Sequence, residues 1–214
     1  MPEVQKHGFD FENWIKATFF TEFQAVYTQK WDVPAEANNS LKVPNELRFL
    51  PVSIKTCKYG SPINFGDALR QFNNYDNFML IVGFWQQSGA NKNFVAVEGV
   101  KILSAEWRNL FRPLSAGDIA LLDSTIKNRE LHFTEARNQA EAIINTDKFQ
   151  QTKIVLNRKI DSKNQRRLQC SLPFATFWQE FAKKAAYQNN ACDLFGVKVP
   201  NPFVSAQRTF KQKA

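Results

Sequence analysis

The sequence predicts an α/β fold with a mixed central β-sheet flanked by helices, and three observations carry this prediction. Residues 78–84 form a continuous apolar run, which is typical of a central strand buried on both faces. Residues 10–25 instead place large apolar side chains at helical spacing. Residues 52–57 read as a strand with Val52, Ile54 and Thr56 on one face and Ser53, Lys55 and Cys57 on the other. Helices and strands that alternate along a chain are expected to pack as layers around one core.

The first half of the chain divides into elements at its prolines and glycines. A strand over residues 26–33 is expected to end at Pro34, and a polar loop should follow it. The strand at 52–57 should end at Gly60-Ser61-Pro62. A helix at 64–73 and strands at 77–85 and 94–103 complete this half. Residues 1–103 are therefore predicted to form the core of the fold.

The second half, residues 104–214, is predicted to be an α+β extension packed with the core as one domain. Residues 104–149 should be mostly helical, with helices at 115–128 and 134–144. Segments 153–160 and 166–172 flank the polar sequence 161–165, which predicts a basic β-hairpin. A further helix is expected at 176–187, and the chain from Gly196 onward should be irregular.

Composition narrows the cellular setting and the chemistry. Apolar runs are too short for a membrane span, and residues 1–7 lack the apolar segment of a signal peptide. Cys57, Cys170 and Cys192 have neither zinc-site spacing nor an even count. We therefore expect a protein of the reducing cytoplasm, without a zinc site.

Positive charge is concentrated at the C-terminal end. Residues 150–214 contain 12 Lys or Arg against 3 Asp or Glu, a net charge of +9, whereas the rest of the chain has a net charge of −1. Such a surface suits a polyanionic partner, because displaced counterions favour each phosphate contact. A solvated basic surface without a partner is the alternative.

Asp32 and Lys55 are the first candidates for a chemical site. An acid after one strand and a lysine on the next, 23 positions apart, can converge on one point. Metal-dependent phosphodiester cleavage needs carboxylates for Mg²⁺ and gains from a cation near the scissile phosphate. Ser53 shares the strand face of Lys55, where a carboxylate would be a stronger ligand. The alternative for Asp32 is a turn residue before Pro34.

These segments resemble the PD-(D/E)XK nuclease superfamily, and type II restriction endonucleases within it. Trp31-Asp32-Val33-Pro34 is similar to the first acidic strand of the family, and Val52-Ser53-Ile54-Lys55 is similar to its (D/E)-X-K strand. Residues 8–12 resemble the start of its first core helix, and residues 65–72 resemble the helix after the lysine strand. The resemblance covers residues 7–86 and implies a restriction-endonuclease-like core.

The resemblance also implies roles for further acids. Ser53 stands where most members have an acid, and some restriction enzymes take that acid from the next helix. Asp67, 12 residues after Lys55, would then be the second Mg²⁺ ligand beside Asp32. The alternative is that no acid has moved, since other members have Asn or Gln at the position of Ser53 and no such acid. Glu12 would support the site, and Ser53 would act through a water on the metal. Both Glu12 and Asp67 have a structural alternative, since acids in a first helical turn offset the helix dipole.

The sequence gives weaker evidence for a role of the remaining polar residues in catalysis or DNA binding. Glu36 is a reserve acid, and His7 and His132 are expected to take no part in the chemistry. Lys58 is expected to contact phosphate or solvent. DNA contacts are predicted for the cations of the basic hairpin, with a hairpin kept soluble by its charge as the alternative. These cations are Arg158, Lys159, Lys163, Arg166 and Arg167.

The resemblance therefore implies a type II restriction endonuclease that cleaves double-stranded DNA with Mg²⁺ as a homodimer, and the basic C-terminal region agrees with a DNA substrate. Two alternatives stay open. One is a structure-specific repair nuclease or junction resolvase of the same superfamily, and the other is a DNA-binding protein that has lost catalysis.

Overall fold

The structure, a computed structural model, describes residues 3–20, 30–89, 91–162, 165–201 and 203–204. The chain divides into two compact units, and both are discontinuous in sequence. The first unit takes residues 1–61, 77–101 and 181–214, and the second takes residues 62–76 and 102–180. The predicted domains, residues 1–103 and 104–214, stay a prediction, because compactness alone does not show which segment folds by itself.

The first unit contains a mixed four-stranded sheet. Its strands follow the order β1 (Val52–Lys58), β3 (Phe78–Ser88), β4 (Asn91–Ile102) and β9 (Phe203–Val204). Strands β1 and β3 are parallel, so that Val52 lies beside Met79 and Lys55 beside Val82, whereas β4 and β9 are antiparallel. This agrees with the predicted mixed sheet. The elements are α1 (Glu3–Phe19), β1 (Val52–Lys58), β3 (Phe78–Ser88), β4 (Asn91–Ile102), β7 (Asp193–Leu194), β8 (Val197–Lys198) and β9 (Phe203–Val204), with 3₁₀ turns at Ala35–Ala37 and Asn45–Leu47.

Helix α1 covers this sheet through the residues that the helical spacing predicted. Phe11, Ile15 and Phe19 are buried in the same apolar cluster as residues of β1, β3 and β4. Phe11 stacks on Phe94 with ring centroids 4.6 Å apart. A Cβ at Gly83 would clash with the rings of Phe94 and Phe11, so only glycine admits this close approach of the helix to β3.

The second unit is built on an antiparallel three-stranded sheet. Its strands follow the order β2 (Ile63–Asp67), β6 (Arg166–Leu172) and β5 (Val155–Ile160). Helices α2 and α4 contact β6, and α5 contacts β5, so one face of this sheet is covered by helices. Trp107, fully buried, donates its indole N–H to the carbonyl of Gln71 at 3.0 Å. The elements are β2 (Ile63–Asp67), α2 (Ala68–Phe72), α3 (Ser104–Asn109), α4 (Ala116–Lys127), α5 (Phe133–Ile144), α6 (Asp147–Gln150), β5 (Val155–Ile160), β6 (Arg166–Leu172) and α7 (Phe174–Thr176).

Two predictions near the N-terminus need correction where the structure describes the chain. Helix α1 begins at Glu3 and ends at Phe19, so it starts earlier than the predicted 10–25; residues 21–25 lie outside the described part. The strand predicted at 26–33 is wrong for residues 30–32, which form a bend, and Val33 makes only one antiparallel bridge, with Val52. Pro34 has no N–H to donate, which ends the pairing there. Residues 26–29 are outside the described residues.

The helix predicted at 64–73 is wrong over its first half. Residues 63–67 are strand β2, and only Ala68–Phe72 is helical. Ile63 and Phe65 are buried while Asn64 is exposed, which is the period of a strand. Pairing with β6 therefore decides the conformation, with a bulge between Asn64 and Gly66 where Gly66 has a φ of +76°.

The helix predicted at 176–187 is confirmed as far as Ala182 and wrong beyond that residue. The chain makes one short helix, α7, and a π-helical turn at Phe177–Ala182, and Lys183 then takes a φ of +53°. A left-handed residue cannot continue a right-handed helix. After Gly196, the predicted irregular chain includes the short strand Val197–Lys198, paired with Asp193–Leu194.

The other elements are confirmed within a few residues. The buried run is strand β3, the strand at 94–103 is β4, and the helical stretch 104–149 contains α3 to α6. The hairpin of β5 and β6 is confirmed, and β2 joins it to make the sheet of the second unit. Within the described residues, no helix combines the length and apolarity that crossing a bilayer requires.

Candidate active site

Backbone pairing of the bend at Asp32 places this residue beside the start of β1. The N–H groups of Asp32 and Val33 donate to the carbonyl of Val52 at 3.0 and 3.2 Å, and the N–H of Val52 donates back to Val33 at 2.8 Å. This short pairing fixes the backbone on both sides of the carboxylate. Asp32 thus reaches the position that the sequence predicted for a strand end, although it is not in a strand.

The carboxylate of Asp32 accepts three hydrogen bonds at one oxygen, Oδ2. The donors are the Ile54 N–H at 2.6 Å, the Lys55 ammonium at 3.0 Å and the Ser53 hydroxyl at 3.5 Å. Side chains of Asp32 and Lys55 keep 27% and 25% of their accessible surface, so the ion pair is partly buried but still reaches solvent. The predicted convergence of Asp32 with Ser53 and Lys55 is present. The Ile54 contact could not be read from the sequence, because its donor is backbone.

Both charged groups keep bonding capacity. Within the described residues, no hydrogen bond ends on Oδ1 of Asp32. The Lys55 ammonium has three N–H donors and uses two of them, on Asp32 and on the Ile54 carbonyl at 3.0 Å. One carboxylate oxygen and one ammonium N–H can therefore bind a ligand at the same point.

Ser53 cannot replace the charge of a second carboxylate. It is 8% exposed, and its hydroxyl contacts Asp32 at the limit of hydrogen-bond length. A hydroxyl in that position is a neutral and weak ligand for a hard cation. Lys58 ends the same strand with an exposed side chain. Burial raises the pKa of Cys57 to about 12, so this thiol stays protonated and is a poor nucleophile.

Glu12 lies in the middle of α1, since the helix begins at Glu3. Its carboxylate accepts a hydrogen bond from the Lys16 ammonium at 2.6 Å, four residues later on the same helix. This is an ordinary pair on one helix face. Support of a metal by Glu12 stays a prediction.

Asp67 belongs to the second unit, whereas Asp32 and Lys55 belong to the first. It is the last residue of β2 and the N-cap of α2, and its Oδ1 accepts a hydrogen bond from the Arg70 N–H at 2.8 Å. The structural alternative for Asp67 is thus realised as a cap. Its role as a metal ligand stays a prediction.

The Asp32 site offers Mg²⁺ a single carboxylate, which is the minimum that this ion needs from a protein. Among the described residues, no group of three or more His, Cys, Asp or Glu side chains is arranged to hold a metal ion. Mg²⁺ usually keeps several waters and needs only one or two carboxylates together with substrate phosphates. The open Oδ1 of Asp32 meets the lower limit of that requirement.

The minor candidates Glu36 and His132 lie in a turn and at a helix end. Glu36 is exposed in a 3₁₀ turn. His132 is the N-cap of α5, where its Nδ1 accepts a hydrogen bond from the Thr134 N–H at 3.4 Å. The side chain of His7 lies outside the described part of the chain.

The cations of the basic hairpin differ in their contacts. Arg158 pairs with Glu141 of α5 at 2.8 Å. The guanidinium of Arg166 donates to three backbone carbonyls at the end of α4 and the connection to α5, at 2.8 to 3.4 Å. Lys159 and Arg167 are exposed, and Lys163 lies outside the described residues. The predicted DNA-binding set therefore divides into arginines that hold the unit together and cations open to solvent.

Comparisons of the chain with protein-family models, curated protein sequences and solved structures gave no match. The resemblance to PD-(D/E)XK nucleases therefore depends on the motif residues and on the geometry at Asp32.

Proposed function

We propose that the protein is a type II restriction endonuclease that hydrolyses phosphodiester bonds of double-stranded DNA with Mg²⁺, as a homodimer. The observation that carries this proposal is the contact between Asp32 and Lys55 beside Ser53, at the start of β1. An acid and a lysine in contact, each with an unused ligand position, are the pair that this chemistry needs. The net charge of +9 over residues 150–214 supports a nucleic-acid substrate.

In this proposal the two residues have different tasks. Oδ1 of Asp32 would hold the cation, and the Ile54 N–H keeps the carboxylate in place through Oδ2. The third N–H of Lys55 orients the attacking water or binds the scissile phosphate. When bound, Mg²⁺ supplies charge stabilisation to the phosphate and activates water. The lysine would act on the same phosphate, because its ammonium is 3.0 Å from the Asp32 carboxylate that would bind the metal.

The direct test is cleavage of supercoiled plasmid by the wild type and by Asp32→Asn, with Mg²⁺ or with EDTA. We expect cleavage only by the wild type with Mg²⁺, and a loss of at least about a hundredfold in the variant. A folded wild type that leaves plasmid intact would contradict the proposal. Preferential cleavage of four-way junctions over linear duplexes would favour the structure-specific nuclease instead.

Ser53 favours a second candidate, a DNA-binding protein without catalysis. The only carboxylate in contact with Lys55 among the described residues is Asp32, and the neutral Ser53 adds no charge to the site. DNA binding that is insensitive to EDTA, with no cleavage of any DNA, would establish this candidate.

Asp67→Asn separates the two roles of Asp67. Asparagine caps a helix about as well as aspartate, so the free energy of unfolding should change by less than about 0.5 kcal/mol. If Asp67 is a metal ligand, plasmid cleavage should fall at least about a hundredfold. Asp147→Asn removes an acid from the first turn of α6 and is the matched control, with unchanged cleavage expected. Unchanged cleavage in Asp67→Asn would leave Asp67 as a cap alone.

A further inference from the structure

The two faces of the β5–β6 hairpin have different environments. Ile160, Leu168 and Cys170 are buried on the face that α4 and α5 cover. Arg158 and Arg166 point to the same side, since they bond Glu141 and the carbonyls between α4 and α5. Side chains alternate along a strand, so the residues between these positions lie on the opposite face. We call this set, Asn157, Lys159, Arg167 and Gln169, the open face.

The register of the hairpin places two cations directly opposite each other on the open face. Lys159 pairs with Arg167, and both side chains are exposed. Directly opposed residues have Cβ atoms about 5 Å apart, and like charges at that distance are destabilising. Within the described residues, neither cation has an acidic partner in an ion pair. An unbalanced pair of this kind is suited to a polyanion that neutralises both charges.

Two amides occupy the next row of the open face. Asn157 pairs with Gln169, and both are half-buried. The Asn157 amide donates to the Ser171 hydroxyl at 2.9 Å, which fixes its orientation. In the described part of the chain, the Gln169 amide has no hydrogen bond. Amide side chains can bond adenine at two atoms, and arginine can bond guanine at two atoms, in the major groove.

The shape of the sheet agrees with insertion into a groove. Strand β2 pairs with β6 only as far as Asp67 and Gln169. Beyond this row, towards Lys159 and Arg167, the sheet is a two-stranded ribbon. A two-stranded ribbon fits the major groove of B-form DNA, which is about 12 Å wide.

We propose that the open face enters the major groove of duplex DNA. Arg167 and Gln169 contact base edges, and Lys159 binds phosphate. Asn157, paired with Gln169, keeps that part of the open face in position. The proposal rests on the proposed function, because it assigns the sequence readout of the same enzyme. It excludes Arg158 and Arg166 from DNA contact, since their side chains point to the helices.

Salt dependence of binding tests the phosphate contact. Binding of a random-sequence duplex is measured by fluorescence anisotropy in EDTA at several salt concentrations. We expect Lys159→Ala to reduce the slope of log K against log salt by about 1 and to weaken binding on the order of tenfold. Arg158→Ala removes an equal charge from the same strand and should keep the wild-type slope. Equal slopes for wild type and Lys159→Ala, or a reduced slope for Arg158→Ala, would overturn the proposal.

Selection from a randomised duplex library tests the base contacts. Wild type and Gln169→Ala each select bound duplexes in EDTA, and the selected sequences are compared. We expect Gln169→Ala to lose its preference at one or two positions, with unchanged affinity for random duplex. Identical selected sequences would overturn the assignment of Gln169.

These outcomes are separable from those of the proposed function. A wild type that cleaves DNA, with Lys159→Ala and Gln169→Ala behaving as the wild type, would leave the endonuclease intact and refute the open face. The expected changes in slope and selection in a protein that never cleaves DNA with Mg²⁺ would support the open face and refute the endonuclease. Absence of duplex binding by the wild type would refute both.

Discussion

Replacing Lys55 by alanine is expected to lower the rate of Mg²⁺-dependent DNA cleavage by about 10²- to 10⁴-fold, the range found when a charge-stabilising or proton-transferring group is removed. The variant loses the only cation that contacts Asp32 among the described residues. The free energy of unfolding should fall by about 1–2 kcal/mol, since the pair is partly buried and lies between exposed pairs and fully buried ones. Initial rates on plasmid DNA, with DNA affinity measured in EDTA, separate catalysis from binding.

Lys101→Ala is the matched control for this result. Lys101 is an exposed lysine on β4 of the same unit, and its removal should leave cleavage unchanged. Lys55→Arg keeps the charge but replaces a compact ammonium by a planar guanidinium, so we expect partial activity at most. Full activity of Lys55→Ala would show that the contact between Asp32 and Lys55 has no part in catalysis.

Replacing Phe11 by alanine is expected to lower the free energy of unfolding by about 3–5 kcal/mol, the usual cost of truncating a buried phenylalanine. Phe11 is fully buried and stacked on Phe94, against the side of β3 where Gly83 allows close approach. The empty volume cannot be refilled by a small shift of α1, because Ile15 and Phe19 hold the helix on the same cluster. Urea unfolding of wild type and variant measures the difference.

Asn13→Ala is the control on the same helix. Asn13 is exposed, so its replacement should change the free energy of unfolding by less than about 0.5 kcal/mol. A change below 1 kcal/mol in Phe11→Ala would contradict the packing of α1 on the sheet of the first unit.

Elements with one strong pattern could be predicted from the sequence. The short apolar run of β3 and the two-faced pattern of β1 both favour strands, and both strands are present. Residues 63–67 have two interpretations, because Phe65, Leu69 and Phe72 fit a helix while Ile63 and Phe65 fit a strand. Only pairing with β6, about a hundred residues away, decides between them. Local sequence does not contain that partner.

In the candidate site too, some contacts could be predicted from the sequence and others could not. Contact between Asp32 and Lys55 was predicted from an acid before Pro34 and a lysine on the next strand, and the contact is present. Its tightest bond comes from the Ile54 backbone, which no side-chain motif indicates. The basic hairpin was predicted as one patch, but its charges lie on two faces. Strand alternation separates Arg158 from Lys159, yet only the packing of α5 shows which of them is turned to solvent.

The most direct test of the proposed activity is digestion of a sequenced phage genome by the wild-type protein, followed by sequencing of the fragment ends. With Mg²⁺, the endonuclease proposal predicts discrete fragments whose ends share one short sequence, and with EDTA it predicts intact DNA. Intact DNA in Mg²⁺, from a folded protein that binds duplex DNA, would contradict it.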